Sequence, residues 1–481
     1  MVWPIKAILP LTVLRFLLAH FSSSYSYLHH PLLDLHAMLE VALFVHFKIK
    51  AHTLTNSQPA AAASYLYPEI DIQQTMAPLD HLNQCLRHLD HALREHSPSA
   101  SPAELRARKQ YELAGWFTDA SQGSHNARAA FEQIHRHHLS TWLAWAFLDA
   151  PLDEQLEEEL APLVDAIEVF CRSPLQSGKH VSASIVPLRL NIDSLRAQHR
   201  PILHYFVTHF SANLAGWAIF TSRGFKRRVK NGQTYYFRER RIKKKGRKKK
   251  PLVFVSGIGI GLVSYERLVS ALMCDDRDIL VFDLPEISLR WTPFKQHAHA
   301  PPLQTVETIS SLIRGAHNGH LGAHCVAHSM GCVIVQWLLR LGGGGVGKGN
   351  VVVSSLTFVD PVCFLLICPN VAANFCYRWP KTYLDILVSY FVAREVGVNN
   401  SLHRHFQWKL NNLDPKLLPK NSVVILSEWD AFVPSELVQA HLRFERPDVK
   451  VAMLKRHFHS QFSVVPESFN LVAELSRSVD K

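Results

Sequence analysis

The second half of the chain alternates short apolar runs with helix-like patterns, and this alternation limits the possible folds more than any other feature. The apolar runs lie at residues 252–256, 279–282, 321–327, 355–359, 423–426 and 449–454. Helical periodicity separates most of them, at 265–273, 306–313 and 333–341. Continuous apolar strands joined through helices are typical of a parallel sheet covered on both faces. The sequence therefore predicts an α/β domain.

A two-residue turn signal precedes the first of these strands. Asn231-Gly232 stands between the stretches 225–229 and 234–238, which mix polar and apolar residues. Asn-Gly is typical of the type I′ turn that closes a two-stranded hairpin. We therefore expect the domain to begin with a β-hairpin.

The third strand leads into the segment 325–332, which reads Cys-Val-Ala-His-Ser-Met-Gly-Cys and then opens a predicted helix. A serine between a strand and a helix is typical of a nucleophile elbow. The tight turn needs small residues two positions before and after the serine, and Ala327 and Gly331 meet that need. The pattern predicts that Ser329 is a nucleophile.

An acid and a histidine follow the last two strands. A serine hydroxyl is a weak nucleophile until a histidine accepts its proton and a carboxylate orients that histidine. Asp430 follows strand 423–426 and His459 follows strand 449–454, which gives the chain order serine, acid, histidine. We predict Asp430 as the acid and His459 as the base.

Other residues compete for these two roles. Asp360 ends the strand at 355–359 and is the main alternative acid, with Glu428 a third candidate. His457 is the alternative base, although the Ser-Gln-Phe that follows His459 favours the latter.

A glycine-rich loop, Ser-Gly-Ile-Gly-Ile-Gly at 256–261, follows the first parallel strand. In this position a hydrolase places one of the two backbone N–H groups of its oxyanion hole. We expect the amides of Ile258 and Met330 to form that hole. A dinucleotide-binding loop is the alternative, but Leu262 stands where its third glycine belongs.

Three segments resemble uncharacterised α/β-hydrolase proteins of fungi and related eukaryotes, which carry N-terminal membrane segments. They are Gly-Ile-Gly-Ile-Gly at 257–261, Ala-His-Ser-Met-Gly at 327–331 and Asp-Pro-Val-Cys-Phe-Leu-Leu at 360–366. The resemblance covers about residues 220–475 and implies the α/β-hydrolase fold with lipase-like or esterase-like activity. Ser256 stands where many of these relatives have histidine.

The segment 361–420 is long for a connection between strands and is rich in Phe, Leu and Trp. In this fold an insertion there commonly covers the site, so we predict an apolar cap over Ser329. A packed helical excursion without contact to substrate is the alternative reading.

The chain upstream of the hydrolase-like part is predicted to be helical over 68–215. Leu79, Leu82, Leu86, Leu89 and Leu93 form one apolar stripe at helical spacing. A second helix is expected to start at Ser101-Pro102, where a capping residue precedes a proline.

Residues 1–50 contain two apolar stretches, at 7–19 and 32–47, interrupted by Pro10, Arg15, Asp34 and Glu40. They are short for a transmembrane helix, which needs about 20 apolar residues. We expect helices that lie at a membrane interface; ordinary buried helices are the alternative.

The positive charge is concentrated in one segment. Residues 223–250 hold fifteen Lys or Arg against the single acid Glu239, while the whole chain carries a net charge of +12. The rest of the chain is therefore close to neutral. A solvated loop, contact with anionic lipid, and nuclear import or nucleic-acid binding are the three interpretations of this segment. The absence of an interleaved aromatic residue at 243–250 argues against nucleic acid as the partner.

The eight cysteines include no CxxC pair, which favours reduced thiols in a domain that faces the cytosol. No H-E-x-x-H occurs, and we expect neither a metal nor a cofactor. The glycine-rich stretch 342–350 reads as a linker.

Together these features predict a serine hydrolase that cleaves lipid-like carboxylic esters through a Ser-His-Asp triad on an endomembrane or lipid droplet. An acyltransferase that uses the same serine and a non-catalytic membrane scaffold with this fold are the alternatives.

Overall fold

The computed structural model describes residues 2–28, 30–56, 77–122, 127–177, 184–241, 249–289, 302–342 and 352–480. The strands in these ranges are β1 (Phe117–Asp119), β2 (Ala127–Arg128), β3 (Ile185–Pro187), β4 (Lys226–Lys230), β5 (Gln233–Arg238), β6 (Leu252–Val255), β7 (Ile279–Asp283), β8 (Ala323–His328), β9 (Val353–Val359), β10 (Ser422–Ser427) and β11 (Lys450–Leu454).

Strands β4 to β11 form one sheet in the order β4-β5-β7-β6-β8-β9-β10-β11. Strand β5 is antiparallel to both of its neighbours, and all the other strand pairs run parallel. A mostly parallel sheet of eight strands with helices on both faces and the second strand reversed is the α/β-hydrolase arrangement. The predicted fold class is confirmed.

Alternate residues of the central strands enter two separate apolar cores. On β6, Val253 and Val255 belong to one core, and Leu252 and Phe254 belong to the other. This division follows from the two-residue repeat of a strand, which points successive side chains to opposite faces. Both sides of the sheet are therefore buried, as the unbroken apolar runs predict.

The helices that surround the sheet and the N-terminal region are α1 (Val2–Phe21), α2 (Pro31–Asn56), α3 (Pro78–His96), α4 (Pro102–Ala114), α5 (Arg136–Leu148), α6 (Glu154–Glu159), α7 (Ala161–Cys171), α8 (Ile202–Tyr205), α9 (Ala212–Ser222), α10 (Glu266–Leu272), α11 (Pro302–Gly315), α12 (Gly331–Leu341), α13 (Tyr383–Val388), α14 (Val396–Asn400), α15 (Trp408–Asn411), α16 (Ser435–Glu445) and α17 (Pro466–Val479). Short π-helical turns lie at Phe206–Ser211, Val371–Tyr377, Ser389–Ala393 and Ser401–His405.

The predicted hairpin is present as β4 and β5. Its turn residues Asn231 and Gly232 have φ values of 50° and 78°, the left-handed pair that a type I′ turn requires. The hairpin joins the sheet through pairing of β5 with β7. The turn signal in the sequence therefore marks the first edge of the sheet.

The N-terminal region matches the prediction only in part. The leucine stripe lies on α3, where Leu82, Leu86, Leu89 and Leu93 are buried, and the predicted cap starts α4. The prediction of an all-helical region over 68–215 is wrong, because β1, β2 and β3 form a small antiparallel sheet there. Strands of two or three residues are too short to show a two-residue repeat.

Helices α1 and α2 pack against each other, and polar contacts join them to each other and to the chain beyond. Arg15 donates a hydrogen bond of 2.6 Å to Asp34, and the buried Glu40 accepts one of 3.0 Å from the amide of Ile202. Many other side chains on both helices are apolar and exposed. Within the described ranges, neither of these helices nor any other combines the length and the apolar character needed to cross a bilayer.

Some predictions fall outside the described residues. They concern most of the Lys-rich run at 243–250, the linker at 343–350 and the start of the helical region at 68–76. The eight cysteines all lie in described ranges, and each is an unpaired thiol.

Candidate active site

Ser329 lies in the turn between β8 and α12 with a φ of 52°, a conformation that is uncommon for a residue with a side chain. Its amide donates a hydrogen bond of 3.0 Å to the carbonyl oxygen of Val359 on the neighbouring strand. A Cβ atom at Gly331 would lie 2.5 Å from the carbonyl oxygen of Val255. The turn therefore requires glycine at that position, as the elbow pattern predicts.

The structure brings the three predicted residues into one hydrogen-bonded chain. Nε2 of His459 lies 2.9 Å from Oγ of Ser329, and Nδ1 of His459 lies 2.6 Å from Oδ2 of Asp430. The other oxygen of Asp430 accepts hydrogen bonds from the amides of Phe432 and Val433, at 2.8 and 3.0 Å. Those two amides fix the carboxylate, and the carboxylate in turn fixes the imidazole.

This geometry selects one tautomer of His459. When Nδ1 carries the hydrogen and donates to Asp430, Nε2 is left as an acceptor for the hydroxyl of Ser329. Burial by itself lowers the pKa of His459, but the charge and hydrogen bond of Asp430 and the charge of Asp360 outweigh it. The net result is a pKa above the usual 6.5. The imidazole is thus prepared to accept a proton.

Asp360, the alternative acid, is fully buried beside this chain but is engaged elsewhere. Its oxygens accept hydrogen bonds from the amide and hydroxyl of Ser427, at 2.8 and 3.0 Å, and from the amide of Ser460, at 3.1 Å. Burial raises the pKa of Asp360 to about 6, and the charge of Asp430 adds to the effect. Asp360 therefore anchors the loop that carries His459 and makes no hydrogen bond to its imidazole.

The remaining alternatives lie away from Ser329. His457 is bonded to the carbonyl oxygen of Lys455 at 2.8 Å and to the hydroxyl of Ser468 at 2.5 Å. Glu428 accepts from the side chain of Lys455 and the amide of Arg456. The two residues adjoin the predicted acid and base in sequence but have separate partners.

The predicted oxyanion residues lie at the same place. Ile258 and Met330 both line the cavity that contains Ser329 and His459. Within the described ranges, neither of their backbone N–H groups has an acceptor. Two unused donors beside a serine are what an oxyanion hole requires.

A second layer of polar contacts was not foreseen from the sequence. The hydroxyl of Tyr265 accepts from the amide of Gly257 at 3.1 Å and contacts Nδ1 of His328 at 2.8 Å. Nε2 of His328 lies 3.1 Å from the hydroxyl of Ser460. This network connects the glycine-rich loop to the loop of His459. The only sequence signal for it was the position of His328 directly before the serine.

An apolar cavity of about 230 Å³ opens above Ser329. Part of its wall comes from the segment 361–420, through Val362, Val371, Phe375, Val388, Val392 and Leu402. The segment predicted to cover the site therefore contacts the space above the serine.

A second cavity of about 490 Å³ adjoins the first on the side of the imidazole. The two cavities share Phe375, Val388, Phe432 and His459. The second is also mainly apolar, and two of its polar side chains, Arg378 and Asp385, pair with each other at 2.6 Å. Its outer rim includes the exposed side chains of Tyr383, Leu384, Trp429 and Phe458.

Asp360, Asp430 and His459 also place potential metal-ligating atoms within 4.8 Å of one another. The two nitrogens of the imidazole already contact Asp430 and Ser329. Hydrogen bonding within the site accounts for this grouping.

No protein-family model and no curated protein matches the chain. Among solved structures it is similar to a bacterial membrane phospholipase A, at 14% identity over 57% of this chain and 93% of that one, with a TM-score of 0.36. A carboxyl esterase of the fungus Tuber melanosporum matches at 12% identity, over 53% and 86%, with a TM-score of 0.37. An esterase of the archaeon Pyrobaculum calidifontis matches at 11% identity, over 59% and 93%, with a TM-score of 0.39. Similarity at this level assigns no activity.

Proposed function

We propose that this protein is a serine hydrolase that cleaves carboxylic esters of lipid-like substrates through an acyl-enzyme. The observation that carries the proposal is the chain Ser329–His459–Asp430 at the base of an apolar cavity, with hydrogen-bond distances of 2.9 and 2.6 Å. In this role Ser329 is the nucleophile, His459 the general base and Asp430 the residue that orients the base.

Acylation follows from these positions. Oγ of Ser329 attacks the ester carbonyl carbon while Nε2 of His459 takes the hydroxyl proton. The amides of Ile258 and Met330 donate to the oxyanion of the tetrahedral intermediate. The intermediate collapses with loss of the alkoxide, which takes the proton from His459 and leaves as the alcohol. Water then attacks the acyl-enzyme, and the same imidazole again serves as base and then as acid.

The two cavities indicate the substrate class. The cavity that contains Ser329 and both oxyanion amides is the place for the acyl chain, because the carbonyl carbon has to lie there. The second cavity contains His459 but not Ser329, which suits the leaving alcohol that the imidazole protonates. Since both are mainly apolar, the favoured substrate has an apolar group on each side of the ester bond.

Transfer of the acyl group to an alcohol is the second candidate. The specific observation that favours it is the size of the cavity beside His459, about 490 Å³ with mostly apolar walls. An acceptor alcohol held there would compete with water for the acyl-enzyme. Product analysis in the presence of a long-chain alcohol distinguishes an ester product from a free acid.

Labelling by a fluorophosphonate probe tests the nucleophile. We expect the wild-type protein to label and Ser329→Ala to lose all labelling. Ser389→Ala is the matched control, because Ser389 lines the second cavity while the imidazole of His459 is bonded to Ser329 and Asp430, and it should label like the wild type. A folded wild-type protein that does not label would contradict the proposal and favour a non-catalytic scaffold.

Paired substitutions test the assignment of the two cavities. Val371 lines only the first cavity and Leu384 only the second. Val371→Trp should lower kcat/KM for long-chain acyl esters by about tenfold or more and leave short acyl esters nearly unchanged. Leu384→Trp should do the same for long-chain alcohols. Equal effects of both variants on both substrate series would contradict the assignment.

We also propose that the protein is membrane-associated, on an endomembrane or a lipid droplet, with the catalytic domain facing the cytosol. Exposed apolar side chains on α1 and α2, such as Leu14 and Ile49 at 52% and 62% exposure, support the proposal. The basic segment 223–250 adds attraction to anionic lipid. Leu14→Asp with Ile49→Asp should reduce flotation with vesicles. Val169→Asp, at an exposed site on α7, should not.

A further inference from the structure

A cleft of about 330 Å³ lies apart from the two catalytic cavities, between the first turns of α1, the middle of α2 and the segment 197–201. One part of its wall is apolar and consists of Ile5, Leu9, Phe44 and Phe47. The ammonium groups of Lys6 and Lys48 belong to the same wall. The cleft is therefore amphipathic, with its cationic groups contributed by two different helices.

Tyr390 forms another part of this wall, and cations lie near its ring. Nζ of Lys6 is 5.6 Å from the ring centroid, and the guanidinium of Arg200 is 4.7 Å from it. Arg200 is fully buried, and its Nη1 donates to the carbonyl oxygen of Arg394 at 2.8 Å and to that of Gln198. Two of its other nitrogens, Nε and Nη2, have no hydrogen-bond partner within the described ranges. Positive charge thus lies both at the opening of the cleft and behind its wall.

Burial and the neighbouring positive charges lower the pKa values of two groups in the cleft. Burial lowers the pKa of Lys6, and Arg394 and Arg200 lower it further. Burial, Arg200 and Lys48 lower the pKa of His199 to about 4, so that its imidazole is neutral at pH 7. The Nε2 atom of His199 is buried and has no hydrogen-bond partner within the described ranges.

Two acids, Glu40 and Glu395, act electrostatically on Tyr390 and Arg200 from outside the lining of the cleft. None of the described residues that line the cleft is acidic. Glu40 accepts a hydrogen bond from the amide of Ile202. Glu395 offsets part of the charge of Arg200, but one of its oxygens accepts from the amides of Gly397 and Val398 at the start of α14. An anion bound in the cleft would therefore face Lys6 and Lys48 with no acid among the described residues of the lining.

We propose that this cleft binds the phosphate headgroup of an anionic phospholipid. The phosphate contacts Lys6 and Lys48, and the acyl chains contact the apolar part of the wall formed by Ile5, Leu9, Phe44 and Phe47. A lipid fits better than free phosphate because half of the wall is apolar.

The cleft also adjoins the segment that covers the candidate active site. Tyr390 belongs to the π-helical turn Ser389–Ala393, and Val392 and Ala393 of that turn line the two catalytic cavities. One turn thus forms a wall of both the cationic cleft and the substrate space. A bound headgroup would contact the same element that encloses the substrate.

Titration calorimetry with a soluble short-chain phosphatidic acid tests the proposal. The full chain is used with Ser329→Ala, so that the probe is not cleaved, and binding is measured independently of the proposed catalysis. We expect one site, and a loss of affinity of about thirtyfold when Lys6→Gln and Lys48→Gln are combined. Lys416→Gln with Lys420→Gln removes the same net charge at an exposed surface elsewhere and should change the affinity less than twofold.

Titrations with two other compounds identify the ligand. Inorganic phosphate and a short-chain phosphatidylcholine should both bind at least tenfold more weakly than the phosphatidic acid. Equal binding of inorganic phosphate would overturn the lipid assignment, and equal binding of phosphatidylcholine would overturn the requirement for an anion. Unchanged affinity in the Lys6→Gln, Lys48→Gln protein would overturn the site itself. Circular dichroism shows whether the Lys6→Gln, Lys48→Gln protein is folded. Fluorophosphonate labelling of a protein that carries the same two substitutions and an intact Ser329 is the second check of folding.

Discussion

Replacing Asp430 by Asn keeps the size of the side chain but removes the charge that His459 contacts at 2.6 Å. The amide also offers an N–H group where the carboxylate accepts. The imidazole then tends to place its hydrogen on Nε2, which can no longer accept the proton of Ser329. We expect kcat to fall by about 10⁴, equivalent to about 5.5 kcal/mol of transition-state stabilisation.

The same substitution should move the pH profile. The base must be neutral to act, so activity of the wild-type protein rises as pH increases through the pKa of His459, which lies above 6.5. An opposite charge at this distance typically raises the pKa of a histidine by about 1–3 units. In the Asp430→Asn protein the rise should therefore occur at least about 1 pH unit lower, in a profile of kcat/KM against pH with a soluble ester.

Asp360→Asn is the matched control, because Asp360 acts on His459 only through its charge and makes no hydrogen bond to it. We expect a loss of about tenfold or less and a smaller shift of the profile. A loss as large as that of Asp430→Asn in a folded protein would show that Asp360 is the working acid. Full activity of Asp430→Asn would refute the reasoning altogether.

Three further substitutions test how the site is built. Gly331→Ala places a Cβ atom 2.5 Å from a strand carbonyl oxygen and should lower the unfolding free energy by about 2–3 kcal/mol. The Cβ atom of Gly259→Ala meets no atom within 4 Å, so this control should leave the unfolding free energy unchanged. Urea denaturation measures both. Tyr265→Phe leaves the buried amide of Gly257 without its acceptor and should cost about 1–3 kcal/mol in the same assay, with slower fluorophosphonate labelling. Burial raises the pKa of Asp360 to about 6, above its unfolded value of about 3.9, so the stability that it contributes is present at low pH and is lost as pH rises to about 7. The contribution of Asp360 is on the order of 3 kcal/mol between about pH 4 and pH 7, measured as the difference between the wild-type and Asp360→Asn proteins in how unfolding free energy depends on pH; the same dependence in both would contradict the assignment.

Features that depend on short stretches of chain could be predicted from the sequence. The type I′ turn at Asn231-Gly232, the small residues around Ser329 and the cap at Ser101 each follow from the conformations that a few neighbouring residues allow. The α/β architecture also could be predicted, because buried parallel strands need unbroken apolar runs. The order serine, acid, histidine followed from strand ends that meet at one edge of the sheet.

Contacts between distant residues were decided only by the tertiary structure. Both Asp360 and Asp430 follow strands that end at the same edge, so sequence reasoning favoured Asp430 from the chain order but left Asp360 open as the alternative acid. Packing placed Asp430 at 2.6 Å from His459 and bonded Asp360 to Ser427 and Ser460 instead.

The same holds for the cationic cleft and the contacts behind the site. The cleft joins Lys6, Lys48, Arg200 and Tyr390, which are widely separated along the chain. No local pattern encodes that proximity. It arises because apolar faces of separate elements must cover one another, and this covering decides which polar groups are brought together.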